Sequence, residues 1–301
     1  MEKIKDKSTF FSTKKIFDFN GKKMDFTSPR VMGIVNVTPD SFYQAGKRGK
    51  GDMGKRRQGE GKIIGMYGDL VGKMVGDGAY IIDMGAVSTR PGAAEVNMEE
   101  EQKRLVPVLK EIRMSFPDII ISIDTYRSEI ARMAAGEGAD MINDISGGAF
   151  DPLMHSCIVN LNIPYVIMHI QGTPSNMQEN PVYENVSSEV FGFLLNQAVK
   201  LHEKGHNKII LDPGFGFGKT VEHNFILLRD LGKLAESGYP VLSGLSRKSM
   251  INRVLSIEPD DALNGTTVLN TIALMKGASL LRVHDVKEAT ESVRLMDALG
   301  R

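Results

Sequence analysis

The stretch KIILDPG (residues 208–214) runs three branched apolar residues, Ile209, Ile210 and Leu211, straight into Asp212, Pro213 and Gly214. It shows no apolar/polar alternation. A strand with one face in water alternates, whereas a strand covered on both faces reads as a near-continuous apolar run. The polar and helix-breaking residues that follow end the strand sharply. The same grammar recurs in VMGIVNV (31–37), YIIDMG (80–85), IIISID (119–124), DMINDI (140–145), YVIMHI (165–170), PVLSGLS (240–246) and SLLRVHD (279–285). Between these runs lie stretches with helical periodicity. In NMEEEQKRLVPVLKEIRMSF (97–116) the spacing puts Leu105, Val108, Leu109 and Ile112 on one face, with acidic residues first, as the helix dipole favours. Pro107 inside it predicts a kink or a late start. NVSSEVFGFLLNQAVKLHEKG (185–205) and VEHNFILLRDLGKLAESG (221–238) read as helices stopped by glycine. Eight β/α units in 301 residues predict an α/β fold, a (β/α)8 TIM barrel, over an open doubly wound sheet.

The whole chain, 1–301, reads as a single domain. Residues 1–30 form an N-terminal extension in which IFDFNGKKMDFT predicts a β-hairpin about Asn20-Gly21, placed to plug the barrel bottom. Residues 46–61, GKRGKGDMGKRRQGEG, are rich in glycine and in Lys and Arg. With almost nothing apolar to bury, they predict a flexible loop, either a solvated insertion or an anion-attracting lid over the mouth.

The continuation DPGFGFGKT (212–220) has the look of a phosphate-binding P-loop. That pattern needs glycine five residues before Gly218, and Pro213 stands there. The dinucleotide pattern fails in turn, because it needs glycine where Lys219 lies. The glycines therefore read as a sharp turn that holds Asp212 at the barrel mouth. Phe215 and Phe217 read either as pocket walls for an aromatic ring or as simple packing.

Lys plus Arg and Asp plus Glu balance at 37 each, which gives no support to a nucleic-acid binder. One cysteine, Cys157, excludes an internal disulfide framework and a multi-cysteine zinc site, and reads as a small buried hydrophobe. The amino terminus lacks the apolar segment of a secretory signal, and no apolar run is long enough to span a membrane. A cytoplasmic setting is expected.

Barrel chemistry sits at the C-terminal ends of strands. In chain order the expected ends carry Asn36, then Ser88-Thr89-Arg90, Asp124, Asn143-Asp144, His169 with Gln171, Asp212, Ser246-Arg247-Lys248, and Arg282 with His284. Asp124, Asn143, Asp212 and Lys248 offer donors and acceptors suited to a flat polar heterocycle. Arg90, Arg282 and His284 suit phosphate oxygens. Asn36 could give an oxygen to Mg2+. A heterocycle pocket beside a phosphate clamp points to group transfer with phosphate or pyrophosphate leaving. His155, His202, His206 and His223 read as structural.

These residues together resemble the dihydropteroate synthase family, whose members are inhibited by sulfonamides. The likeness spans about residues 17–299 and rests on MGIVNVTPDSF (32–42), STRPGA (88–93), SIDT (122–125), NDISGG (143–148), MHIQGTPSNMQ (168–178), DPGFGFGK (212–219), SRKS (246–249) and RVHDV (282–286), in the family's order. It implies condensation of 6-hydroxymethyl-7,8-dihydropterin diphosphate with p-aminobenzoate to 7,8-dihydropteroate and pyrophosphate, by a dissociative substitution. By motif match, Asp124, Asn143, Asp212, Lys248 and Arg282 hold the pterin. Asn36, Thr89, Arg90, Arg282 and His284 hold the diphosphate, with Mg2+ assisting. Pro91, Phe217, Ser246 and Lys248 border the aminobenzoate. Asp124, Lys248, Arg282 and His284 carry the catalysis, with Asp124 stabilising positive charge on the pterin methylene. A homodimer built on late helices is implied too. Two departures stand out: Gly85-Ala86-Val87 where the family often has Gly-Gly-Glu, and Tyr43-Gln44-Ala45-Gly46 where Ser-Asp-Gly-Gly is common. The first removes a glutamate beside the phosphate clamp. The second begins the basic stretch, in which Lys47, Arg48, Arg56 and Arg57 are expected to draw in diphosphate. The remaining alternatives are a methyltetrahydrofolate-dependent methyltransferase barrel, which needs no diphosphate clamp, and a pterin-binding barrel without turnover.

Overall fold

The computed structural model describes residues 15–19, 21–37, 60–86 and 96–300. A hairpin comes first, β1 (Ile16–Phe19) paired antiparallel with β2 (Lys22–Asp25), with Gly21 at φ 77° in the turn. Then follow β3 (Arg30–Asn36), α1 (Glu60–Gly76), β4 (Ile81–Gly85), α2 (Met98–Ser115), β5 (Ile120–Asp124), α3 (Ser128–Gly136), β6 (Met141–Asp144) and α4 (Met154–Leu161). The second half runs through β7 (Tyr165–Met168), α5 (Val186–Glu203), β8 (Ile209–Asp212), α6 (Val221–Ala235), β9 (Leu242–Ser243), α7 (Ser249–Leu255), α8 (Leu263–Met275), β10 (Leu280–Val283) and α9 (Val286–Ala298). Each of the eight apolar runs contains one strand of a parallel sheet in the order β8-β7-β6-β5-β4-β3-β10-β9. A parallel bridge from Leu211 to Val241, just before β9, brings the two ends of that sheet together into the expected barrel.

Strand parity divides the core into two. Met32, Ile81, Ile120, Met141, Val166, Ile210, Leu242 and Leu280, one residue from each of β3 to β10, form a single buried cluster inside the barrel. Phe17, Met24 and Phe26 join that cluster, so the hairpin stoppers the bottom with its apolar face. Lys22 ties the hairpin down through Asp140 Oδ1 at 3.0 Å. The residues between, such as Ile82, Ile121, Ile142, Ile209 and Leu281, face outward and meet the helices in the larger cluster. Successive side chains in a strand point to opposite faces, so the residue two steps after each plug residue also points into the barrel, one layer nearer the mouth.

The α2 helix departs from its expected start. Asn97 caps it, accepting from the Glu100 amide at 2.9 Å, and the helix runs from Met98 through Pro107 without a late beginning. Three glutamates in the first turn and the cap outweigh the one hydrogen bond that proline removes. Leu105, Val108, Leu109 and Ile112 are buried along it, as the periodicity predicts. The basic stretch at 46–61 lies outside the described residues up to 59. Its last two positions, Glu60 and Gly61, are not loop; they begin α1. No helix among the described residues is long and apolar enough to cross a membrane.

Candidate active site at the barrel mouth

The layer above the apolar plug is largely polar. Asp83 sits two residues beyond Ile81, Asn143 two beyond Met141, Asp212 two beyond Ile210 and Arg282 two beyond Leu280, while Asp124 stands four beyond Ile120. Arg282 joins them. Its Nε donates to Asp83 Oδ2 at 2.6 Å and its Nη2 to Asp124 Oδ2 at 2.8 Å. Asn143 Nδ2 donates to the same Asp83 oxygen at 3.0 Å. Gly85 makes room for this: a Cβ there would lie 3.2 Å from the Asp124 Cβ. Three buried polar atoms in the layer, Asp83 Oδ1, Ser122 Oγ and Asn143 Oδ1, have no partner among the described residues.

The DPGFGFGKT loop supplies the next wall. Asp212 Oδ1 accepts from the Gly214 amide at 2.7 Å. Gly214 has φ 68°, and a Cβ there would come within 2.1 Å of the His169 carbonyl oxygen, so glycine is required. Lys219 does not reach for phosphate. Its side chain folds inward until the residue is 2% exposed, and Nζ donates to the carbonyls of Phe217 at 2.8 Å and Gly214 at 3.0 Å and to His169 Nδ1 at 3.1 Å. It is an internal strut of the turn. Lys248 Nζ donates to the Phe215 carbonyl and lies 4.7 Å from the centre of the Phe217 ring. Phe217 therefore borders the mouth, while Phe215 is fully buried packing.

On the adjoining rim, Ser246 Oγ lies 3.0 Å from His284 Nδ1 and accepts from the His284 amide at 3.2 Å. Arg247 turns away. Held at φ 54°, it donates bidentately to Asp285, at 2.8 Å to each oxygen, and staples the loop after β9 to the loop after β10. Asn36 ends β3 at the exposed rim, opposite Gly85 in register.

Burial among unlike charges shifts the titrating groups. Desolvation pushes the Asp124 carboxyl up to about 7; Arg282 opposes the shift and Asp83 reinforces it. Desolvation lowers Lys248 to about 8 against the pull of Asp212. Burial also raises Asp212, with Lys248 opposing. Burial works against the Arg282 charge, but Asp83 and Asp124 outweigh it and hold its pKa above the ordinary value. The mouth thus combines a floor of acceptors with two cations beside it, a set that matches a flat heterocycle rich in N–H donors and a departing anion.

Of the residues expected from sequence, the fold brings Asp124, Asn143, Asp212, Lys248 and Arg282 to one mouth, with Phe217, Ser246, His284 and Asn36 around it. Thr89, Arg90 and Pro91 lie outside the described residues. Asp144 points outward and accepts from Tyr165 Oη at 2.6 Å. His169 is no ligand group either: it receives Lys219 and stacks edge-on to Phe193 at 5.2 Å, and desolvation, then Lys219, lowers its pKa to about 3. His223 completes a capping box with Thr220, and His206 is buried. Asp83 was not singled out. Its signal was available, since a carboxylate midway along the apolar run YIIDMG must find a partner if it is buried.

A family model described as pterin binding enzyme matches residues 32–284. The dihydropteroate synthase of Escherichia coli strain K12 is 40% identical over 280 residues, covering 92% of this chain and 94% of that one. Among solved structures, the Yersinia pestis dihydropteroate synthase with a sulfonamide drug complex superposes with a TM-score of 0.84 at 37% identity, over 94% of this chain and 98% of that one. The Xanthomonas albilineans dihydropteroate synthase with 4-aminobenzoic acid gives 0.84 at 34% identity, over 95% and 98%. A polar mouth in these positions, on a barrel alike over nearly its whole length, leaves one assignment: the chain belongs to the pterin-binding enzymes and, among them, to the dihydropteroate synthase family.

Proposed function

We propose that this mouth joins p-aminobenzoate to 6-hydroxymethyl-7,8-dihydropterin diphosphate, releasing 7,8-dihydropteroate and pyrophosphate, and that the whole chain serves this as one domain. The observation that carries the reading is Arg282 held between Asp83 and Asp124 beside Asn143, Asp212 and Lys248. Asp124, Asn143 and Asp212 accept from the N–H edge of the pterin, and Lys248 donates to its ring acceptors. Arg282 flanks the ring and reaches the diphosphate with His284, Asn36, Thr89 and Arg90. Phe217, Pro91 and Ser246 border the aminobenzoate, and Lys248 reaches it as well.

An aromatic amine is a weak nucleophile, so the barrier lies in breaking the carbon–oxygen bond. Arg282 and His284 stabilise the charge on the departing pyrophosphate, and Asp124 stabilises the positive charge growing on the methylene carbon. The amine then attacks that carbon, forms the carbon–nitrogen bond and gives its proton to water or to the released pyrophosphate. No covalent enzyme intermediate is formed.

Among the described residues no three His, Cys, Asp or Glu side chains converge on a metal position. Asn36 offers one amide oxygen at the rim, which fits an ion held chiefly by diphosphate oxygens and water, as Mg2+ prefers. When bound, Mg2+ supplies further neutralisation of the leaving diphosphate. The setting we infer is cytoplasmic, with small-molecule substrates and no nucleic-acid or membrane partner.

The test is pyrophosphate release from dihydropterin diphosphate with Mg2+ and p-aminobenzoate, wild type beside Lys248→Ala. Aminobenzoate-dependent release that Lys248→Ala loses supports the reading. Pterin binding without release would assign the fold and pocket but not the reaction.

The pH dependence follows from the shifted groups. Asp124 must be ionised to stabilise the cation, and Lys248 must be protonated to donate. With Asp124 near 7 and Lys248 near 8, turnover is expected to peak between those values and fall about tenfold per pH unit on either side. The limbs belong to the interacting set rather than to single residues. Stability runs the other way on the acid side. The Asp124 pKa is raised on folding, so the native state holds the extra proton between 3.8 and about 7, and stability falls as pH rises through that window. A flat rate profile from pH 5 to 9 would contradict the assignment.

We also infer a homodimer through the late helices. Val254 and Leu255 on α7, Val268 and Met275 on α8, and Leu295 on α9 are large apolar side chains left exposed. Val268 and Met275 stand one heptad apart on the same helix, which gathers them into a stripe. Sedimentation equilibrium is expected to give a dimer, and Val268→Asp with Met275→Asp a monomer. A monomeric wild type would refute this.

A further inference from the structure

Asp83 holds no substrate in the reading above, yet it touches two residues that do. It is wholly buried on β4, and one of its oxygens, Oδ2, receives both Arg282 Nε and Asn143 Nδ2. A carboxylate can only accept here. An asparagine amide is ambiguous: either its oxygen or its nitrogen can face a ligand, and the two present opposite hydrogen-bonding character. Because Asn143 Nδ2 is taken by Asp83, Asn143 Oδ1 is turned elsewhere, and it is buried with no partner among the described residues. Arg282 is constrained in the same way. Its Nε faces Asp83 and its Nη2 faces Asp124, which sets the plane of the guanidinium.

We propose that Asp83 is a positioning residue for pterin recognition: it makes Asn143 present its oxygen, not its nitrogen, to the heterocycle, and it sets the plane in which the Arg282 guanidinium meets the ring. The inference rests on the pterin-site reading above. Selectivity follows from it. A mouth lined by Asp124, Asp212 and Asn143 Oδ1 takes an N–H-rich ring edge, and loses that match if one acceptor becomes a donor.

Asp83→Asn tests it, since an asparagine at 83 is nearly isosteric but can donate as well as accept. The Asn143 amide is then free to turn over. The probe is 6-hydroxymethylpterin, with affinity measured by titration. Asp83→Asn is expected to raise its dissociation constant roughly 10- to 100-fold, the scale of one buried mispaired hydrogen bond. KM for p-aminobenzoate should stay unchanged. A second readout is the pH dependence of pterin affinity. Asp124 feels the charges of Arg282, Asp83, Glu101 and Asp144, and it interacts with Lys248 across the mouth. Loss of the Asp83 charge should move its acid limb to lower pH, which a packing defect would not do.

A double-mutant cycle with Asn143→Ala separates positioning from direct contact. If Asp83 acts through Asn143, most of the Asp83→Asn effect disappears in the Asn143→Ala background. Fully additive effects would mean that Asp83 does not act through Asn143, and would overturn the proposal. Should Asp83→Asn fail to fold, the wild type answers alone. With asparagine labelled by nitrogen-15, the Asn143 side-chain protons should be protected from exchange before pterin is added and stay so afterwards. Exposure without ligand, or transfer of those protons to the ligand, would overturn the proposal. Wild type with no affinity for the pterin would sink the site reading and this inference together; wild-type affinity matched by Asp83→Asn sinks this inference only.

Discussion

Arg282→Met should lower kcat/KM for the pterin substrate by about a thousandfold and destabilise the fold by about 3–5 kcal/mol, the usual result of leaving buried charges without their partner. Methionine matches the length of the arginine stem but abandons two carboxylates at once. Asp83 would keep only the Asn143 amide on Oδ2, and Asp124 would lose its 2.8 Å partner. Arg282 is also the main influence holding the Asp124 pKa down, so its removal should drive the acid limb of the rate profile to higher pH. That direction is opposite to the one expected for Asp83→Asn, which makes the pair diagnostic. Arg282→Lys should recover little. An ammonium is a point charge, and here two different nitrogens of one planar fork meet two carboxylates on different strands. Steady-state kinetics over pH 5–9 and urea unfolding measure both effects. A loss of activity under tenfold would show that the arginine is not at the reacting centre.

Gly214→Ala should unfold the mouth rather than merely tune it. The residue has φ 68°, and the added methyl would meet a backbone oxygen at 2.1 Å, which no side-chain rotation relieves. A left-handed alanine costs about 1–2 kcal/mol, and overpacking about 1–3 kcal/mol more. The displaced turn would release Asp212 from the Gly214 amide and take two carbonyl partners away from buried Lys219. A fall of several degrees in melting temperature together with loss of pterin affinity is expected. Gly65→Ala on α1 is the control, because nothing lies within 4 Å of a Cβ there, and a helical alanine should leave stability equal or higher. Equal melting of Gly214→Ala and wild type would remove the strain argument.

The barrel was legible because each strand announces itself twice, by an apolar run and by the polar residues that end it. Even the failed P-loop could be read from Pro213 alone. Helix boundaries came within a few residues, and the late start that Pro107 allows fails for a reason: Asn97 and the glutamates after it start α2 well before the proline. His169 and Asp144 show where strand-end reading overreaches. Asp144 ends a strand and His169 directly follows one, yet His169 packs under Lys219 and Asp144 points outward to Tyr165. Asp83 shows where it falls short, for it lies inside its strand rather than at its end.

Periodicity along each strand decides which residues face the barrel axis, since successive side chains alternate; that much the amino-acid order of this protein contains. It does not contain which inward residues meet. Arg282 and Asp83 are 199 positions apart, and Arg282 and Asp124 are 158 apart. They touch because the sheet sets β10 beside β3, next to β4 and β5, and because inward residues of the same and the next layer around a barrel lie within side-chain reach. The depth of burial that moves Asp124 towards 7 and Lys248 towards 8 exists only once that layer is enclosed. The sequence by itself determined the elements and the chemical types at the mouth; the pairings, and with them the charge states, were decided by the closed barrel.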